Sequence, residues 1–396
     1  VGVIRELAMA ASIGVAVIII SNLVIVPLVL SYLGVSDASI RKIQAGEKKD
    51  HPLAGLFARF TRTPLAALSI AVAVAGYGVG IYMSQDLKIG DLDKGAPELW
   101  PDPCEDMECP RGYEPKPRYR YNHDVNFLVS NYSVSADVLV VMGKTPVESC
   151  NTYQAMQTVD DLAWNLRNVE GVQDVATIAF LDDHKAETLE RVTRAVADFS
   201  QIRNNPDVLE LKLASGNAGV EAATNQTIAA SQYPMLALVY AVVSVLILIA
   251  FRSFRAVICI IVPLGLTSIL CQALMAYLGI GVKVATLPVI ALGVGIGVDY
   301  GIYIYSKLSE YLKRGMNLEE AYKQTLKTTG KAVAFTGITL AVGVIFWGFS
   351  SIKFQADMGI LLTFMFLWNM IGALWLLPAL ARFLLKPDSV RVNLRS

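Results

Sequence analysis

The chain has 396 residues, 54% of them hydrophobic and only 17% charged, a composition too apolar for an ordinary soluble domain. Its 34 Lys and Arg against 34 Asp and Glu give zero formal net charge, an average over a strongly uneven distribution.

Seven stretches approach the roughly 20 apolar residues that span a bilayer: about 8–33, 64–83, 234–251, 256–278, 284–306, 332–350 and 357–381. They predict a polytopic α-helical membrane protein. The first span ends in Asn22-Leu-Val-Ile-Val-Pro27, and the last ends in Ala373-Leu-Trp-Leu-Leu-Pro378. Aligning the two prolines also sets Arg5-Glu6-Leu7 opposite Ala356-Asp357-Met358, which points to an internal repeat. On that reading 1–33 is the last transmembrane helix of a preceding repeat, and 64–385 is a complete six-helix unit. Val1 is not a start residue, so a preceding segment is expected.

Residues 34–63 read as a cytoplasmic linker with a short amphipathic helix near Leu53–Phe60. The short loops rich in Lys and Arg, 34–63 and 307–331, belong on the cytoplasmic side, as does the tail 386–396. The opposite side then receives 84–232, where 24 acidic residues face 13 Lys and Arg; an acidic external domain argues against nucleic acid as a partner.

Within that insertion, 86–103 and Pro110–Tyr121 read as loop. Ser135–Met142 and Val172–Phe180 read as strands, and Thr152–Asn168 and Lys185–Ile202 as helices. This alternation predicts a small α/β sandwich. Residues 217–232 read as a helix that runs on into the third span, and 233–385 as a five-helix bundle completing the unit begun by 64–83.

Of five cysteines, Cys259 and Cys271 lie in a span and read as packing residues. Cys104, Cys109 and Cys150 are external; Cys104 with Cys109 closes a short loop, but three pairings stay open. No metal, nucleotide or hydrolase constellation emerges, and no cofactor is called for. Tyr113, Tyr119 and Tyr121 form an aromatic cluster suited to a hydrophobic cleft or to covering a domain edge.

The most informative stretch is Ala291-Leu-Gly-Val-Gly-Ile-Gly-Val-Asp299-Tyr300-Gly-Ile-Tyr303. It sets a carboxylate in the middle of an otherwise apolar span, where a charge is costly unless a proton, an ion or a partner needs it. Gly293, Gly295, Gly297 and Gly301 thin the helix so that neighbours can approach the acid.

The run Gly295-Ile-Gly-Val-Asp299-Tyr300-Gly-Ile-Tyr-Ile, in the fourth helix of a six-helix unit with a large loop after helix one, resembles the RND superfamily. Gly90-Asp-Leu-Asp-Lys-Gly95-Ala-Pro-Glu-Leu99, Tyr121-Asn-His-Asp-Val-Asn-Phe and Ala222-Ala-Thr-Asn225 extend the likeness. The similarity is greatest to its MmpL-like and hopanoid-transporter-like exporters. It implies an RND-type repeat with a porter-like periplasmic domain in a bacterial inner membrane. It also implies export of lipids or other hydrophobic molecules by proton antiport, with no enzyme activity. The proton carrier would be Asp299 and its hydrogen-bonding neighbour Tyr300, with Thr336 and Thr339 on the next helix as polar partners chosen by depth. The implied partners are protons, a lipid or hydrophobic small molecule, the missing N-terminal repeat with its own acid, and a homo-oligomer or periplasmic accessory protein. Two other readings are a sterol-sensing-like receptor that binds lipid without pumping and a SecDF-like protein-export motor.

Overall fold

The computed structural model describes residues 2–33, 52–90, 92, 96, 98–103, 114–132, 138–146, 152–169, 172–175, 179–181, 191–199, 210–213, 217–284 and 286–385. Cys104, Cys109 and Cys150, Tyr113, most of the expected linker and the expected tail lie outside the described residues. The chain divides into two units, Val1–Gly55 and Leu56–Ser396.

Residues 2–33 of the first unit form a helical rod: α1 (Gly2–Ile20), a π-helical turn (Ser21–Ile25) and α2 (Val26–Leu33). Pro27 sits in the first turn of α2. Its missing N–H and its ring disrupt the bonds of the preceding turn, and the backbone widens there.

In chain order there follow α3 (Pro52–Ala58), which runs across the boundary between the units, and α4 (Thr63–Ser84), which starts with Pro64 in its first turn. Between them Arg62 donates from Nη2 and Nε to the carboxylate of Glu319, at 2.9 and 3.2 Å. The insertion then gives α5 (Arg120–Tyr132), β1 (Val138–Leu139), β2 (Val141–Lys144), α6 (Tyr153–Arg167), β3 (Val172–Val175), β4 (Ala179–Leu181), α7 (191–199) and β5 (Glu210–Leu213).

The described residues that follow are largely helical: α8 (Asn217–Phe251), α9 (Phe254–Leu278), α10 (Leu287–Lys313), α11 (Leu318–Thr325), a π-helical turn (Leu326–Gly330), α12 (Lys331–Ile345) and α13 (Lys353–Leu384). Arg252, at φ 50°, makes the tight turn between α8 and α9; Gly279, at φ 67°, ends α9 in the left-handed conformation that favours glycine.

Among the described residues, seven helical stretches are long and apolar enough to cross a bilayer: Ser12–Tyr32, Thr63–Ser84, Ala218–Phe251, Phe254–Leu278, Leu287–Lys313, Leu318–Phe349 and Lys353–Leu384. Each coincides with an expected span. Helix α8 starts at Asn217, as the reading of 217–232 requires. The loop expected at 307–331 is mostly helix instead, because α10 runs to Lys313 and α11 begins at Leu318 under the Asn317 cap, whose side chain accepts from the Glu320 N–H.

Helix α13 is the centre of the bundle in the second unit. Helices α4, α9, α10 and α12 all pack on it, whereas α10 and α12 have little contact with each other. Ala73, Leu266 and Leu376 join α4, α9 and α13 in one core cluster. Trp375 Nε1 donates to Ser69 Oγ at 2.9 Å and Tyr77 Oη to the Val262 carbonyl at 2.7 Å, so the polar groups at this junction are satisfied internally.

In the insertion, β1, β4 and β3 form one antiparallel sheet in that order, and β2 pairs antiparallel with β5. Their helices pack through Leu139, Leu162, Leu166, Val175, Val192 and Val196, and Ala218 from the start of α8 joins the same core. The expected strand 135–142 is therefore two short strands serving different sheets, and the expected strand 172–180 contributes two antiparallel strands. Helix α5 and strand β5 add to what the sequence predicts.

Candidate functional site

The two sides of α10 differ. Gly293, Gly297 and Gly301 recur every four residues and so stack on one face. A Cβ at Gly293 would lie 2.3 Å from Met365 Cε, one at Gly297 would lie 2.3 Å from Asn369 Nδ2, and one at Gly301 would lie 2.8 Å from Ile260 Cγ2. On this face α13 and α9 come as close as a backbone allows. Asn369, only 2% exposed, donates from Nδ2 to the Gly293 carbonyl at 2.8 Å. Gly295 is on the other side, with nothing within 4 Å of its Cβ position.

That other side carries the acid. Ile296, Asp299, Tyr300 and Tyr303 border a pocket of about 420 Å³ between α10 and α12. Opposite them stand Thr328 and Thr329 of the π-helical turn, followed on α12 by Val333 and Thr336. Asp299 is exposed to this space and has no hydrogen bond or ion pair among the described residues. Tyr300 is 2% exposed, and its Oη has no partner among the described residues. The pocket is thus bordered by a carboxyl group, two tyrosines, of which Tyr300 keeps its hydroxyl buried, and three threonines, set within an apolar pair of helices. Such a set can hold water and pass a proton, since each hydroxyl both donates and accepts.

The structure brings Asp299, Tyr300 and Thr336 together. Thr339, one turn beyond Thr336 on α12, is exposed outside the pocket. Tyr303, Thr328 and Thr329 line the same space and were not singled out from the sequence; Tyr303 follows Asp299 at i+4, the one signal that marks it.

Elsewhere, Cys259 and Cys271 are buried free thiols in α9. Among the described residues no group of three or more His, Cys, Asp or Glu could hold a metal ion. Of the tyrosine cluster, Tyr119 packs edge-on against Trp100 with ring centroids 6.4 Å apart, and Tyr121 is exposed.

The MMPL family model matches residues 133–385, more than half of the chain. The chain is 26% identical over 140 residues to the sulfolipid-1 exporter MmpL8 of Mycobacterium tuberculosis, covering 34% of this chain and 13% of that protein. It is 28% identical over 227 residues to the trehalose monomycolate exporter MmpL3 of the same organism, covering 48% of this chain and 23% of that protein. It is 29% identical over 136 residues to the putative membrane protein MJ1562 of Methanocaldococcus jannaschii, covering 34% of this chain and 35% of that protein. The aligned part of the chain thus spans little more than a third of these relatives' own length at most. The family match covers the insertion from residue 133 onward and helices α8 to α13, which include Asp299, and the chain belongs to the MMPL family.

Proposed function

We propose that this protein is a secondary active transporter that exports a lipid or other hydrophobic molecule in exchange for protons, with Asp299 as the proton carrier. The observation that carries this reading is Asp299 itself: a carboxyl group without a protein partner among the described residues, in a hydroxyl-lined pocket of an apolar helix. A carboxylate there is costly and a protonated acid is not, so the two states favour different separations of α10 and α12. Tyr300 and Thr336 are its proton-relay neighbours. The relatives named as exporters of sulfolipid-1 and trehalose monomycolate support a lipid as the cargo.

The membrane is a bacterial inner membrane, and the 84–232 insertion is its periplasmic, porter-like domain. The side of α10 and α12 that carries the pocket exposes Leu292, Tyr303, Phe335, Ile338 and Val342. In the assembled transporter this apolar face receives a second six-helix repeat with its own acid.

Vesicles containing the purified protein, a pH-sensitive dye and candidate lipids test the reading. Lipid-dependent proton flux is expected; saturable lipid binding with no flux at any gradient would identify a receptor instead.

A further inference from the structure

On the external side, a strap that includes residues 88–90, 96 and 98–102 is fastened at three places. The first is the α9–α10 loop. Gly90 N–H donates to the Val282 carbonyl and Val282 N–H to the Lys88 carbonyl, both at 2.9 Å, which makes a parallel bridge between Ile89 and Val282. The fit is tight, since a Cβ on Gly281 would lie 2.0 Å from the Gly90 oxygen. Thr286, fully buried, ties this loop to the start of α10 by donating from Oγ1 to the Gly281 carbonyl at 3.0 Å while accepting from the Lys283 N–H at 3.0 Å.

The second fastening is the α12–α13 loop. Leu99 and Ile352 form an antiparallel bridge, Lys353 N–H donates to the Glu98 carbonyl at 2.9 Å, and Trp100 Nε1 donates to the Ser350 carbonyl at 3.0 Å.

The third is α5. Asn122, 1% exposed, accepts from the Ala96 N–H through Oδ1 at 2.8 Å. Its Nδ2 donates to the carbonyls of Trp100 at 3.0 Å and Ala96 at 3.4 Å. Arg118, just before α5, stacks over Trp100, and His123 Nδ1 lies 2.9 Å from Asp102 Oδ2.

The two loops are the outer ends of the two helices that frame the Asp299 pocket. Asp299 lies twelve residues below the start of α10, about 18 Å at 1.5 Å per residue. Helices α10 and α12 have little direct contact, so a change in their separation is felt at both loops, and the strap joins those loops to each other and to α5.

We propose that the strap, through its fastened residues 88–90, 96 and 98–102 and the clamp of Asn122, is the element that passes the state of the Asp299 pocket to the external domain, with Asn122 as its positioning residue. The inference rests on the reading of Asp299 as the coupling acid. A buried asparagine that uses both its acceptor and its donors on the backbone of Ala96 and Trp100 holds that part of the strap to α5 in one geometry.

Hydrogen exchange read by mass spectrometry, at a single pH on the purified protein in lipid nanodiscs, tests it with Asp299→Asn as a mimic of the protonated acid. The expected result is that D299N changes exchange in α10, in 88–90 and in α5. In the N122A background the D299N-dependent difference persists in α10 and 88–90 but is lost from α5. A merely structural role for Asn122 would raise exchange in α5 without removing its dependence on residue 299. If N122A does not fold, G281A, which pushes Gly90 off the first fastening, is expected to remove the difference from 88–90. A D299N effect in α10 that never reaches the strap or α5, or one in α5 that survives N122A, would overturn the strap and leave the acid's role standing. No D299N effect anywhere would overturn the reading of Asp299 and the strap with it.

Discussion

Asn369 donates from its Nδ2 to the backbone carbonyl of Gly293, 2.8 Å away, and the same amide lies where a side chain at Gly297 would have to go. The contact joins α13 to α10 directly behind the acid, so it fixes the wall against which the pocket side can move. Gly297→Ala displaces Asn369 and strands the Gly293 carbonyl, and overpacking of this kind costs about 1–3 kcal/mol. Gly295→Ala enters open space and gains about 0.5–1 kcal/mol of helix preference. Denaturation in detergent should separate the two substitutions by sign.

Tyr300 buries a hydroxyl that has no partner among the described residues. An unsatisfied buried group of this type costs about 1–3 kcal/mol, so Tyr300→Phe should leave stability unchanged or raised. If the hydroxyl serves the relay, the same substitution lowers lipid-driven proton flux. Thermal unfolding and flux measured on one preparation should therefore move in opposite directions or only in flux.

Thr336 and Thr339 lie at similar depth on α12, and only Thr336 lines the pocket. Valine is close to threonine in shape and lacks the hydroxyl, so Thr336→Val should reduce proton flux and Thr339→Val should not. Initial rates of dye quenching in vesicles measure this directly, and equal effects of the two would remove Thr336 from the relay.

The seven spans were legible because each supplies about 20 apolar residues, a signal that needs no tertiary context. Helix α5 was not, although Tyr121, Val125, Leu128 and Tyr132 recur at helical spacing; the proline-rich stretch before it and the polar residues Asn122, His123, Asp124 and Asn126 masked the pattern. Strand β5 pairs with residues some 70 positions earlier, and its four residues carry no local trace of that partner. At the site, the acid and its neighbour were readable as an anomaly of charge in an apolar run. Depth alone chose Thr339, but three residues on a helix rotate a side chain by 300°, which took it out of the pocket. Gly295 shows the same effect, being about 200° round α10 from both Gly293 and Gly297. Thr328 and Thr329 reach the pocket through a π-helical turn between α11 and α12, and no spacing in the sequence announces that turn.

The account depends most on Asp299, and the most direct measurement is lipid-dependent proton flux by the Asp299→Asn protein in vesicles, run beside its thermal unfolding. Asparagine keeps the shape of the carboxyl group and cannot carry the proton. The predicted result is flux reduced to that of empty vesicles with the unfolding temperature preserved. Proton flux at the wild-type rate from the folded D299N protein would contradict the account.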